Sequence, residues 1–168
     1  MRSVFANLVV CAAVLSSGCD GSGAPPAGSS PDAGASLADC EATKPGDTAP
    51  AGERAGSWYT NGSGIWTALY PAGIVTIGGR EAGEASPDGT LTIKWPWSRD
   101  IPGALKITGR RLGTDPVTLT AEIPDGYDSS GFQPSAISFS GEGCWEVTGK
   151  VGAAELRFVV GILRGRSP

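Results

Sequence analysis

The side chains best equipped to do chemistry in this sequence are aromatic. Tryptophans stand at positions 58, 66, 95, 97 and 145, joined by Tyr59, Tyr70 and Tyr127. An aromatic ring stacks on the apolar face of a sugar, and Asn61, Arg99 and Gln133 can hydrogen-bond its hydroxyls. Within a strand, Trp95 and Trp97 point to one face, provided Pro96 does not break the alternation. Trp95, Trp97, Arg99, Tyr127 and Gln133 are therefore a candidate ligand-binding set of the carbohydrate-binding kind. The competing reading is core packing, since a buried aromatic removes roughly 150–250 Å² from water. Trp66 and Trp145 read as core.

Carboxylates offer less. Asp125 and Asp128 share a Gly-containing loop with Ser129 and Ser130. Calcium takes clustered oxygens, but the Asp-x-Asp-x-Asp-Gly spacing is missing, so these read as turn residues and no metal is expected. Glu142 and Glu146 flank Cys144 and would be the pair to test in a carboxylate-based hydrolase. There is no histidine, and the only methionine is Met1. That removes Ser-His-Asp and Cys-His catalysis, histidine-held zinc, copper and haem, and Met-rich copper sites. No cofactor is expected. The formal net charge is −4, with basic residues scattered apart from Arg110-Arg111 and Arg164/Arg166. Such a balance supplies no field for nucleic acid.

The N-terminus reads as an export signal. Met1-Arg2-Ser3 precedes an apolar run from Val4 to Leu15, too short to span a bilayer, which needs about 20 residues. The run ends in Leu15-Ser16-Ser17-Gly18-Cys19, which resembles the bacterial lipobox. That resemblance implies cleavage after residue 18 and a lipid on Cys19, although Ser16 holds the place usual for leucine. An ordinary signal peptide, with Cys19 a plain thiol, is the alternative. Residues 19–36 are Gly, Ala, Ser and Pro with little else, and read as a flexible tether. The chain is thus expected to be exported and membrane-anchored at the cell envelope, on its periplasmic or cell-surface face.

Of four cysteines, Cys11 lies in the signal and Cys19 is the lipid site. Cys40 and Cys144 remain, in a compartment that permits disulfides. A bridge between them is expected. Two redox thiols are the alternative, without a Cys-x-x-Cys or a basic neighbour to activate them.

These residues need a scaffold, and the pattern from Trp58 onward supplies strands. Period-two segments occur at 65–70, 74–77, 91–95, 105–109, 117–123, 145–151 and 156–162, with a short one at Ile137 and Phe139. Turn residues separate them, Ser86-Pro87-Asp88-Gly89 among them. Gly152-Ala153-Ala154 suggests a hairpin. Eight or nine strands without a helix point to an all-β domain over 37–168. An antiparallel sandwich of immunoglobulin-like outline is expected, with a small barrel as the alternative.

The stretch Gly143-Cys144-Trp145-Glu146-Val147-Thr148-Gly149-Lys150-Val151-Gly152 resembles a block of uncharacterised secreted or lipid-anchored bacterial proteins. Cys40 with Thr43-Lys44-Pro45, Trp58-Tyr59-Thr60-Asn61-Gly62, Lys94-Trp95-Pro96-Trp97 and Ile123-Pro124-Asp125-Gly126-Tyr127 fit the same pattern. Ser98 and Tyr70 depart from it. The resemblance carries no activity; it implies location and fold, and it favours the Cys40–Cys144 bridge. The functional expectation is a non-catalytic envelope module that binds a protein partner or scaffolds an assembly. A carbohydrate-binding module using exposed tryptophans is the alternative, and a hydrolase a third reading.

Overall fold

The computed structural model describes residues 37–78, 82–113 and 117–165; the lipid site Cys19 and the tether lie outside them. After a helical turn at Leu37–Asp39, ten strands follow: β1 Trp58–Tyr59, β2 Ile65–Ala68, β3 Ile74–Ile77, β4 Glu84–Ala85, β5 Leu91–Arg99, β6 Leu105–Arg111, β7 Thr120–Glu122, β8 Gly131–Phe139, β9 Gly143–Val151 and β10 Ala154–Arg164. Among the described residues, no helix is long and apolar enough to cross a membrane.

The strands form two sheets that do not close into a barrel. One runs β1-β2-β5-β8-β7, with β4 also on β5; the other runs β3-β10-β9-β6. All pairings between strands are antiparallel except β3 beside β10. The domain is an all-β sandwich, as the spacing of the strands led us to expect.

Its core follows from alternation. Odd positions of β5 turn Leu91, Ile93, Trp95 and Trp97 inward; odd positions of β9 bring Trp145, Val147 and Val151 to meet them; even positions of β10 add Leu156, Phe158, Val160 and Ile162. Trp95 stacks on Phe158 at 5.7 Å between centroids, and Trp97 lies 5.8 Å from the same ring. Phe139 meets Trp145 edge-on at 5.2 Å. The indole N–H groups are satisfied inside, Trp95 Nε1 donating to Thr67 Oγ1 at 2.8 Å and Trp97 Nε1 to Ser135 Oγ at 3.1 Å. Burial therefore costs these amphipathic rings no hydrogen bond.

Most strands differ in length from the sequence expectation, and three of them show why. β5 continues through Pro96 to Arg99, and β8 begins six residues before Ile137, running through Pro134. The two prolines are directly opposed. Two residues without N–H groups cannot exchange ladder bonds, so they occupy a pair that needs none. Nor does a flanking strand call on them: β2 opposes β5 only at Trp97–Arg99, and β7 opposes β8 only at Ala136–Ser138. Conversely, the cleanly alternating 117–123 yields only the short β7. Part of this stretch instead lines the β6 edge, where Arg111 N donates to Val117 O and Leu119 N to Gly109 O.

Cys40 and Cys144 are bridged, with Cα atoms 5.5 Å apart and a sequence separation of 104. Beyond Cys40, Thr43 continues the attachment: its N–H donates to Val159 O at 2.8 Å and its Oγ1 accepts from Val159 N at 2.9 Å. The segment lies along β10 just before β3 takes over at Gly161.

Candidate functional site

The parity that sinks the tryptophans of β5 decides what the opposite face of the same sheet presents. In β8, Gln133, Ser135, Ile137 and Phe139 turn inward, so Phe132, Pro134, Ala136 and Ser138 turn outward. Register then builds rows across the outer face. Trp66 of β2 opposes Ser98 of β5, which opposes Phe132 of β8. The Pro96–Pro134 pair forms the next row, and Lys94, Ala136 and Glu122 the one after.

Over these rows stands the 123–130 connection between β7 and β8. It walls a groove of about 470 Å³, floored by Lys94, Pro134 and Ala136 and flanked by Glu122, Pro124 and Tyr127. Tyr127 and Phe132 meet edge-on at 6.3 Å and remain 46% and 50% exposed. Rings of that size are normally covered, so two together, one of them lining the groove, form an exposed apolar surface. Half-buried Trp66 is turned by its indole N–H, which donates to Asp100 Oδ2 at 2.7 Å. Around a second cleft of about 390 Å³ on the other side of Tyr127 lie Asp125, Asp128, Arg99 and Gln133.

The sequence-selected set divides here. Tyr127, Arg99 and Gln133 converge on one end of the sandwich. Trp95 and Trp97 do not join them: they are 1% and 0% exposed, and a sugar-stacking platform at these two rings is ruled out. The alternation did put both on one face, but that face is the interior. Arg99 and Gln133 are themselves only 3% and 5% exposed, and act from behind the cleft. Arg99 donates through Nη2 to Asp128 O at 2.7 Å and to Gln133 Oε1 at 3.2 Å, and through Nη1 to Gly103 O. Gln133 Nε2 donates to Pro124 O and Pro134 O, each at 3.2 Å. One buried cation and one buried amide thus tie the 100–104 and 123–130 connections to the strand ends. The acceptors of Arg99 are all neutral, its Nε has no partner, and none of the ion pairs among the described residues includes it. A guanidinium held this way sacrifices solvation to fix its surroundings.

The remaining candidates lie apart. Glu142 Oε1 accepts from Arg164 N at 2.7 Å, while Glu146 pairs with Arg110 at 3.2 Å and Arg157 at 3.8 Å on the outer face of the other sheet. Each carboxylate is engaged by different partners. Among the described residues, no three His, Cys, Asp or Glu side chains converge as metal ligands would. Asn61 closes an ordinary turn, its Oδ1 accepting from Ser63 N at 3.2 Å. Two carboxyls are held below the usual range, both outside the groove: Asp88 by the Thr90 backbone N–H, and Glu155 by the Lys150 ammonium and then Arg157.

Sequence reasoning missed Phe132 and misread Trp66. The available signal was parity: once Ile137 and Phe139 are placed inward, a strand carried back through Pro134 puts Phe132 outward. Compared with known proteins, the chain matches no family model, no curated protein and no solved structure.

Proposed function

We propose that the chain is an exported lipoprotein, anchored at the cell envelope through Cys19, whose folded part is a non-catalytic binding module. Its recognition surface is the outer face of the β1-β2-β5-β8-β7 sheet beneath the 123–130 connection. One observation carries this reading: half-exposed Tyr127 lines a groove whose wall is fastened by buried Arg99 and Gln133, and half-exposed Phe132 stands against it. A fixed wall with exposed rings is what a preorganised binding site needs, because little ordering is left to be done when a ligand arrives. Residues 19–36 would supply the reach between lipid and domain.

The test places a photoreactive benzoylphenylalanine at Phe132 in the full chain, in the cells that make it. The expected result is a discrete cross-linked adduct, with none when the same group replaces Lys106 on the opposite sheet. No adduct at 132, or the same adduct at both positions, overturns the reading of this face. Intact mass of membrane-extracted protein checks the anchor: a diacylglyceryl addition on Cys19 supports it, and release of the protein by Cys19→Ser should follow.

A further inference from the structure

We propose that Asn61 is a site of intramolecular self-modification. In the folded protein the Gly62 backbone nitrogen attacks the Asn61 side-chain amide, and the residue passes through a cyclic imide to aspartate and isoaspartate. The site shares no residue with the groove and goes beyond the binding reading.

The sequence supplies the reacting pair. Asn61 is followed by Gly62, whereas the other asparagine, Asn7, precedes Leu8. Glycine puts no side chain beside its own nitrogen, and Gly62, at φ 84°, has nothing within 4 Å of where a Cβ would stand. Asn61 and Gly62 are both exposed, so water reaches them.

The β1–β2 turn supplies the rest. Asn61 Oδ1 accepts from Ser63 N at 3.2 Å. The ring closed by that bond contains Gly62 N, so the side chain is folded back toward the nitrogen that attacks it. The Ser63 N–H also polarises the amide carbonyl and faces the oxygen on which negative charge collects, as a donor in an oxyanion hole does. The nucleophile's proton has an acceptor as well. Gly62 N donates to Thr60 Oγ1 at 3.1 Å, and Thr60 Oγ1 donates onward to Ile65 O at 2.8 Å.

The step balances with water as the only co-reactant. Gly62 N gives up its proton and bonds to Asn61 Cγ; the Cγ–Nδ2 bond breaks, and Nδ2 leaves as ammonia with a proton taken from solvent. Water then opens the imide. Cleavage at Cγ leaves aspartate with the normal peptide bond, and cleavage at the Asn61 backbone carbonyl leaves isoaspartate, with the chain running through Cγ. Either product loses the donation from Asn61 Nδ2 to Glu155 O, 3.0 Å long, which ties the turn to β10 across the two sheets. Isoaspartate also lengthens the turn between Tyr59 and Ile65, whose strands pair only at Trp58–Ala68 and Tyr59–Thr67.

The experiment incubates the detergent-solubilised full chain in mildly alkaline buffer, once folded with the disulfide intact and once reduced in urea, and follows the peptide carrying residue 61 by mass spectrometry. Asp88-Gly89 and Asp125-Gly126 can isomerise without a change of mass, so the gain from exchanging –NH2 for –OH reports Asn61 alone. The expected result is that gain in the folded protein, with isoaspartate among the products. Thr60→Val should slow it by about fivefold or more in the folded chain and leave the unfolded rate unchanged, with Thr60→Ser restoring the folded rate; circular dichroism checks that each variant is folded. An amide at position 61 that survives in the folded protein while the unfolded chain loses it overturns the proposal. So does a folded Thr60→Val variant reacting as fast as the parent, because the turn would then contribute nothing beyond the Asn-Gly pair.

Discussion

Gly149 sits in the interior of β9, paired with Ile107 on one side and Leu156 on the other, at an inward-facing position. A glycine there weakens a strand unless something occupies the missing side chain's place. The occupant is Trp97. A Cβ built on Gly149 would lie 2.5 Å from Trp97 Cζ3, 3.0 Å from Cη2 and 3.3 Å from Cε3. The indole is wholly buried, its Nε1 bonded to Ser135 and its ring tilted against Phe158, so it has nowhere to retreat. Gly149→Ala should therefore cost about 1–3 kcal/mol by overpacking, although alanine is the better residue for a strand in conformational entropy. Trp97→Phe, which withdraws the distal ring atoms, should cost about 2 kcal/mol for lost burial and the lost hydrogen bond to Ser135 Oγ. The double variant should be less destabilised than the sum by about 1 kcal/mol or more, since the ring that collides with the new methyl is gone. Denaturant unfolding followed by circular dichroism, with the disulfide intact, measures all four corners of the cycle. Additivity within about 0.5 kcal/mol, or a neutral Gly149→Ala, would refute the claim that this glycine exists to seat the indole.

Further expectations follow from the same contacts. Replacing Cys40 and Cys144 together by Ala should lower stability by about 4–5 kcal/mol, because the bridge closes a separation of 104 residues in the unfolded chain; a loss under about 1 kcal/mol in denaturant unfolding would contradict it. Arg99→Met strips charge-assisted bonds from Asp128 O and Gly103 O and should cost about 2–4 kcal/mol, with faster proteolytic cutting in 123–130 than in the parent. Unchanged cutting would mean that Arg99 does not fasten the wall. The Glu155 carboxyl, held low by Lys150 first and Arg157 second, contributes stability that is present above its unfolded pKa and lost as pH falls through the folded one. Lys150→Met should raise its NMR titration midpoint toward the ordinary value, with little change in stability because the group is exposed. Phe132→Ala and Tyr127→Ala should each leave the unfolding midpoint within about 0.5 kcal/mol of the parent, as exposed rings outside the core.

Much of the fold was legible because inward and outward residues alternate so regularly. β3, β6, β9 and β10 fall close to where period two places them, and the Cys40–Cys144 bridge follows from counting cysteines. The misjudged elements trace to proline and to tertiary context. Pro96 and Pro134 look like strand breakers in isolation; only their being opposed makes them harmless, and opposition is a property of two strands rather than of one window. The 117–123 stretch has the clearest alternation but shares its length between a short edge strand and a partial cover for β6. At the site, periodicity identified Trp95 and Trp97 as partners on one face without saying which face. A run such as Thr92-Ile93-Lys94-Trp95-Pro96-Trp97 has its polar residues on the other face, and that contrast favours the interior for the rings.

The core and the candidate site are therefore consequences of one register. Sliding β8 by a single residue against β5 would turn Phe132 inward and bring Gln133 to the surface, undoing both together. What prevents the slip is the interior: Trp97 seated on Gly149 and bonded to Ser135, Trp95 stacked on Phe158 and bonded to Thr67, and Arg99 clasping Gln133 at the strand ends. Each of these ties a residue of β5 to another strand, and those to Ser135 and Gln133 bind it to β8 itself. The outward row of Trp66, Ser98 and Phe132 inherits that precision without making any core contact of its own. Surface recognition on a strand scaffold calls for rigid placement of a few side chains, and here the buried tryptophans supply it from the opposite face. They serve the groove as its support, in a role that sequence alone first suggested they would play as its lining.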